Sequence, residues 1–255
     1  AASNTQSGFI GQNPVEEEGA TVYRSYVSFK NSFLQIVCKI LNRSRTLLYY
    51  VDGNKNRQPA IYSSLEAAFA QVNSGNLVTS GGGSVTGQLR IEMVVKEYTM
   101  SEAAVLSNSK NVLLSTALPT DTDKYPYNGG ENDGAGNIAS VYRGFDTGSM
   151  IVDSGSLTID KIALNGKKRT VIKNGTEDVV SYSDLTAEAD GGIINVAGSV
   201  KLIVNSTAKL INSSVKAGDT SGGSGGAVYL SKGASLDMKG TIDNCRAVNG
   251  GGVYA

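Results

Sequence analysis

The motif Gly225-Gly226-Ala227-Val228-Tyr229 returns 25 residues later as Gly250-Gly251-Gly252-Val253-Tyr254. A strand start recurring over so short a distance is the signature of a repeat fold. Between the two copies lie two further short runs, Ser235-Leu236-Asp237-Met238 and Thr241-Ile242-Asp243-Asn244. No such unit can bury its own apolar face, so the core must come from stacking one unit on the next.

The pattern extends upstream in a looser form. Gly155-Ser156-Leu157-Thr158-Ile159 resembles Gly198-Ser199-Val200-Lys201-Leu202, and both resemble Gly233-Ala234-Ser235-Leu236-Asp237-Met238 with one insertion. On that alignment the turn glycines are 43 and then 35 residues apart. Each group follows an apolar run: Met150-Ile151-Val152, Ile193-Ile194-Asn195-Val196 or Val228-Tyr229-Leu230. Each precedes an apolar residue near an asparagine: Leu164-Asn165, Ile211-Asn212 or Ile242-Asp243-Asn244. The pattern predicts about three short strands per unit, paired like on like about 4.8 Å apart. Val, Ile and Leu would form inward columns, with Gly and Asn at the corners where positive φ is needed. The expected fold class is all-β, a right-handed parallel β-helix (solenoid). A β-sandwich is the alternative, but it does not explain the 25-residue recurrence.

Three regions follow. Residues 1–20 are polar, carry Glu16-Glu17-Glu18, and read as a flexible leader. Residues 21–88 read as an N-terminal cap with two short helices. The first has Phe33, Ile36, Val37, Ile40 and Leu41 on one face behind the capping pair Asn31-Ser32. The second is expected to start at Ser63, with Ser63 and Glu66 at capping-box spacing and Leu65, Ala68, Phe69 and Val72 on its buried face. Strands are expected at 21–30 and 47–51. Residues 89–255 read as the β-helix coils, with strands at 89–96, 111–117, 138–145 and 149–153 and insertions in loops. Tyr254 and Ala255 lie within a predicted strand. The expectation is a C-terminally truncated solenoid that continues in a longer molecule.

Composition narrows the chemistry. The 23 basic and 23 acidic residues balance, so there is no global field to gather nucleic acid or acidic membrane. The sequence contains no His. That removes Ser-His-Asp and Cys-His catalysis and His-ligated zinc. Cys38 and Cys245 form no CxxC pair, and both read as small buried side chains. No run approaches the roughly 20 apolar residues that span a bilayer.

The residues Gly225-Gly226-Ala227-Val228-Tyr229, Ile242-Asp243-Asn244-Cys245-Arg246-Ala247 and Gly250-Gly251-Gly252-Val253-Tyr254 resemble the repeats of bacterial surface β-helix proteins. These are large adhesins of gut Gram-positive bacteria and, more distantly, the polymorphic outer-membrane autotransporters of chlamydiae. Leu48-Tyr49-Tyr50-Val51-Asp52 with Ser64-Leu65-Glu66-Ala67-Ala68-Phe69 resembles the start of such domains. The resemblance implies a secreted or cell-surface protein with a binding or spacer role, no cofactor and no catalytic residues.

Several clusters invite chemistry. Asp121, Asp123, Glu131 and Asp133 crowd the loop 118–137 with oxygen ligands, but without an EF-hand spacing, and read as a solvated loop. Asp153, Asp160, Asp237 and Asp243 are scattered singly and read as isolated outward carboxylates, which disfavours a polysaccharide lyase or hydrolase. Lys167-Lys168-Arg169 reads as a solvated basic loop. Tyr is more suggestive, with 12 Tyr against 5 Phe. Tyr125, Tyr127 and Tyr142 are the candidate ligand-binding residues, as amphipathic rings that stack on sugars or anchor a protein. Tyr229 and Tyr254 read as strand residues. The loops 74–88, 118–137, 166–190 and 216–225 are the expected recognition surface. The functional expectation is a monomeric, non-enzymatic segment that binds a host protein, immunoglobulin- or mucin-like, or a glycan. A β-helix polysaccharide enzyme and a passive stalk are the alternatives.

Overall fold

The computed structural model describes residues 46–50, 60–62, 64–75, 87–93, 95–116, 138–174, 177–216 and 223–255. Over these residues the chain is all-β, built on parallel sheets, with one helix. The leader, the first predicted helix with Cys38, the predicted strand at 21–30 and the loop 118–137 lie outside the described residues.

The chain enters through β1 (Thr46–Tyr50) and β2 (Ala60–Tyr62), which pair antiparallel. Helix α1 (Leu65–Ser74) follows. Its N-cap is Ser64, whose hydroxyl accepts the N–H of Ala67 at 3.0 Å. This corrects the expected capping box of Ser63 and Glu66. The Glu66 carboxylate turns to the next strands instead, accepting from the Tyr98 hydroxyl and from the Ser101 N–H at 2.6 Å. Gly75 closes the helix in the left-handed region at φ 70, with its N–H on the Val72 carbonyl. Leu65, Ala68, Phe69 and Val72 are buried as their spacing predicts. Full burial of each large side chain among them contributes about 1.5–3 kcal/mol.

Beyond α1 the strands come in five circuits. The first is β3 (Leu89–Met93), β4 (Glu97–Met100) and β5 (Ala104–Leu106). The second is β6 (Asn111–Thr116), β7 (Ala139–Arg143) and β8 (Ile151–Asp153). The third holds β9 (Ser156–Ile159), β10 (Ile162–Asn174), β11 (Glu177–Ser183), β12 (Thr186–Ala187) and β13 (Ile194–Val196). The fourth holds β14 (Lys201–Val204), β15 (Lys209–Ile211), β16 (Ser214–Val215) and β17 (Val228–Leu230). The fifth is β18 (Ser235–Met238), β19 (Thr241–Asp243) and β20 (Val253–Tyr254).

Pairing runs between circuits, not within them. One sheet has the order β18-β14-β9-β6-β3, extended by β1 and β2. A second runs β19-β15-β10-β7-β4, and a third β20-β17-β13-β8-β5. Apart from β11, which pairs with β10, and β12 and β16, which form a small parallel sheet of their own, the strands beyond α1 therefore fall to these three sheets in rotation along the sequence. All pairs are parallel except β1 with β2, β1 with β3, and β10 with β11.

The register lines up the core. Leu89 pairs with Val112, Val112 with Leu157, and Leu202 with Leu236 on the first sheet. On the second, Tyr98 meets Val141, Val141 meets Leu164, Leu164 meets Leu210, and Leu210 meets Ile242. On the third, Ala104, Ile151, Ile194, Val228 and Val253 follow one another. Alternate residues of each strand point to one face, so these columns merge into a single buried cluster.

Strand register also corrects the alignment of the turn glycines. On the third sheet the paired positions Ile151, Ile194, Val228 and Val253 are 43, 34 and 25 residues apart. Three residues before each stands a glycine in the left-handed region: Gly148 (φ 81), Gly191 (φ 72), Gly225 (φ 69) and Gly250 (φ 59). These four are the equivalent corners. Gly155, Gly198 and Gly233 are not, because β9, β14 and β18 start one, three and two residues after them. The first-sheet step from Val112 to its partner Leu157 is 45 residues.

Among the described residues two ionisable side chains are fully buried in this interior. Arg143, fully buried at the end of β7, donates to the carbonyls of Gly148 at 2.6 Å and of Gly192, and lies 5.0 Å from the Phe145 ring centre. Burial pulls its pKa down to about 10, against the opposing charge of Asp146. Asp153 is also fully buried, between Leu106 and Val196 in the third-sheet register. The expectation of an outward carboxylate there was wrong. Its Oδ1 accepts the Gly155 N–H at 3.0 Å, and its Oδ2 has no hydrogen-bond partner among the described residues.

Candidate functional site

The third circuit carries a projecting hairpin. β10 spans 13 residues, and only its first part runs in the second sheet, between β7 and β15. From Lys168 onward it pairs antiparallel with β11, from Lys168↔Ser183 to Asn174↔Glu177. The local sequence explains this. Thr170-Val171-Ile172 and Val179-Val180 are β-branched runs, and just two residues, Gly175 and Thr176, join Asn174 to Glu177. A glycine placed first in a two-residue connection favours a tight hairpin. The expected loop 166–190 is thus largely a β-ribbon, and Lys167-Lys168-Arg169 lies on a strand rather than in a solvated loop.

The distal ribbon is apolar and exposed. Val171 opposes Val180 on one face, and Ile172 opposes Val179 on the other. Ile172 is 58% exposed and Val179 50%, values that leave half or more of each residue's surface in water. Val171, Val180 and Tyr182 are exposed as well.

The root is held by polar contacts. Arg169 and Tyr182 are cross-strand partners, and both reach Glu97 on β4. Arg169 donates to Glu97 Oε2 at 3.2 Å and to Thr99 Oγ1 at 2.9 Å. The Tyr182 hydroxyl donates to Glu97 Oε1 at 2.7 Å, and the Tyr142 hydroxyl reaches the same oxygen at 3.4 Å. The Tyr142 and Tyr182 rings meet with centres 5.0 Å apart at 50°. Burial, then the Glu97 charge, then Tyr182 push the Tyr142 phenol up to about 12, so it stays protonated and a donor near neutral pH. Lys168 pairs with Asp146 at 2.6 Å and Lys167 with Asp184 at 3.5 Å.

Of the predicted site residues, the structure places Tyr142 in this root cluster. Tyr125 and Tyr127 lie outside the described residues, as do the oxygen-rich loop 118–137, most of 74–88 and residues 217–222. Sequence reasoning missed Glu97, Arg169 and Tyr182, which are far apart along the chain. The Gly175-Thr176 pair between β-branched runs was the available signal for the hairpin. Tyr229 and Tyr254 are strand residues as expected, stacked with ring centres 5.6 Å apart.

Asp160 and Asp237 have separate partners. Asp160 accepts from Thr207 at 2.6 Å, and Asp237 lies between Lys201 and Lys239. Cys245 is half-buried, with Sγ 3.3 Å from the Asp243 carbonyl, and packs against the core. Among the described residues no three His, Cys, Asp or Glu side chains group as a metal site. No helix among them is long and apolar enough to cross a membrane. No family model, curated protein or solved structure matches this chain.

Proposed function

We propose that this chain is a non-enzymatic binding segment of a bacterial surface adhesin, with the β10–β11 hairpin as its recognition element. Its five circuits are the coils of a right-handed parallel β-helix. The rotation of strands among three sheets and the like-on-like register support that reading. On it, the solenoid is a rigid, secreted or surface-displayed support, α1 belongs to the N-terminal cap, and the hairpin is an insertion that meets a host protein or glycan.

The observation that carries the functional reading is the hairpin itself. It exposes four β-branched apolar residues while its root is fixed to β4 and β7 through Glu97. Apolar side chains held in water on a fixed arm are the composition of a contact surface, since burial on binding returns about 25 cal/mol per Å² of apolar area. The test is retention of the segment on immobilised immunoglobulin, mucin and a glycan array. It is compared with a variant in which a two-residue turn joins Thr170 directly to Ser181. Retention lost on shortening supports the reading. No retention by the unaltered segment favours a passive stalk, and retention unchanged by shortening places binding elsewhere.

A further inference from the structure

We propose that the outer face of the third sheet binds a neutral linear polysaccharide, laid across the strands from circuit to circuit. This goes beyond the hairpin reading. It assigns a second surface, whereas the hairpin leaves the second sheet.

Register builds the surface. Val105 pairs with Val152, Val152 with Asn195, Asn195 with Tyr229, and Tyr229 with Tyr254. The first four are the central residues of three-residue strands whose flanking residues are buried. Their side chains therefore form one outward column, which Tyr254 extends. Strands lie about 4.8 Å apart, so the column runs about 19 Å across all the circuits. Val105 is 46% exposed and Tyr254 40%, so the row is open at both ends. The rings of Tyr229 and Tyr254 are parallel to within 4°. The ladder continues one residue past the strands, with the N–H groups of Ser154 on Leu106, Ala197 on Asp153 and Ser231 on Val196. Alternation turns these three residues outward beside the column, and none of them is fully buried.

Charge and size select the class of ligand. Outward positions of the first sheet carry Arg90, Lys201 and Asp237, and those of the second carry Glu97, Lys209 and Asp243. Those of the third carry no charge, because Asp153 points inward. Nucleic acid and acidic polymers need a basic surface. A lipid chain needs an unbroken apolar one, and Asn195 interrupts the row. The two adjacent outward columns stand about 7 Å apart, so the strip covers on the order of 100–200 Å². A standard protein interface takes roughly 800 Å² from each partner.

A neutral glycan fits a strip of this width and composition. Its rings have apolar C–H faces and hydroxyl edges, which suit valine and tyrosine beside amide and hydroxyl groups. Asn195 donates its Nδ2–H to the Asp190 carbonyl at 3.2 Å, which fixes the amide. Its Oδ1 takes no hydrogen bond from any described residue and is left to accept from a sugar hydroxyl. The rung spacing of about 4.8 Å is close to the rise of one pyranose unit in an extended glycan, so successive sugars meet successive circuits.

The test is electrophoresis of the whole chain in native gels containing xyloglucan, galactomannan or mixed-linkage β-glucan, with polygalacturonate as the charged comparison. Mobility relative to a polysaccharide-free gel gives an apparent Kd. At least one neutral polymer should retard the chain, and polygalacturonate should not. Val152→Asp, which puts a carboxylate in mid-strip, and Tyr254→Ser should each raise the apparent Kd at least fivefold. Ser235→Asp, an equivalent change at an exposed position of the first sheet, should change it less than twofold. Should Val152→Asp fail to fold, Tyr254→Ser decides. Absence of retardation by all three neutral polymers overturns the inference, as does equal retardation by polygalacturonate. So does sedimentation showing self-association that Val152→Asp abolishes, because the strip then belongs to a second copy. Retardation lost when the hairpin is shortened, but kept in both strip variants, assigns the glycan to the hairpin. This inference then falls and the hairpin reading stands. Retardation kept on shortening and lost in the strip variants supports this inference, whatever the hairpin binds.

Discussion

The side-chain amide of Asn244 donates to Oδ1 of Asn212 at 2.8 Å. Asn212 in turn donates to Oδ1 of Asn165 at 3.3 Å, and that oxygen also accepts the Lys167 N–H at 3.1 Å. The three residues stand just after the second-sheet strands of consecutive circuits or at their edge, so the bonds run from circuit to circuit. Asn212 and Asn244 have φ of 55 and 48, a region that asparagine tolerates better than most residues.

Asn212→Ala removes the middle of this ladder and places an alanine in the left-handed region. The expected loss is about 1–3 kcal/mol, combining unmade hydrogen bonds and backbone strain. Asn212→Gly removes the same amide without the strain and should lose less. Urea midpoints of the two variants check this. Equal losses would show that the amide, not the backbone, accounts for the whole effect.

Glu97 joins three side chains, from β7, β10 and β11, to β4. Glu97→Gln leaves Arg169, whose side chain is largely buried, without its carboxylate. The expected outcome is local. Hairpin amides should exchange faster and the hairpin should be cut sooner by protease. The global unfolding midpoint should move by less than about 1 kcal/mol, because Glu97 itself is partly exposed. Hydrogen exchange followed at Val179, which stands opposite Ile172 in the hairpin, and, as reference, at Leu164 makes the comparison. A global shift with no local change would refute the clasp.

The sequence displayed the scaffold far better than the site, and the reason is range. Gly225 and Gly250, the buried face of α1 and the asparagines after Leu164 and Ile211 are local patterns set by one turn or one strand. They were legible because each corner or face needs a particular residue type at a particular spacing. The earlier units were misaligned because glycine recurs at more than one corner, and only the pairing of Ile151 with Ile194 shows which glycines correspond. Glu97 and Tyr182 are 85 residues apart, and nothing near either marks the other. Asp153 misled for a related reason. A lone aspartate is ordinarily outward, and only the register with Leu106 and Val196 turns it inward.

Close approach between circuits predicts a severe effect at Gly226. A methyl group there would collide with the Gly251 carbonyl oxygen and stand 2.6 Å from the Arg246 backbone nitrogen. Both are backbone atoms, so no flexible side chain can yield. The bonds Gly226 N–H to Gly250 O at 3.1 Å and Val228 N–H to Gly252 O at 3.0 Å fix that separation. Gly226→Ala should therefore cost more than about 3 kcal/mol. Gly87→Ala, with open space around the added carbon, is the control and should be near neutral. Thermal unfolding of both variants gives the comparison.

Asp153 makes stability depend on pH in an unusual direction for an aspartate. Burial raises its pKa from 3.8 to about 7, and the N–H groups of Gly155 and Leu157 oppose that rise only in part. The folded state thus holds a proton that the unfolded chain releases. Below pH 3.8 both states are protonated and the contribution of this residue is fully retained. It falls as pH rises from 3.8 through about 7, where the folded carboxyl also ionises. The total is on the order of 4 kcal/mol at 1.36 kcal/mol per unit. Asp153→Asn keeps an acceptor for the Gly155 N–H and carries no charge. Its stability should match that of the parent near pH 4 and exceed it by a few kcal/mol near pH 8. Urea midpoints at pH 4, 6 and 8 measure the slope. A constant difference between the two proteins across that range would mean that Asp153 does not change its ionisation on folding.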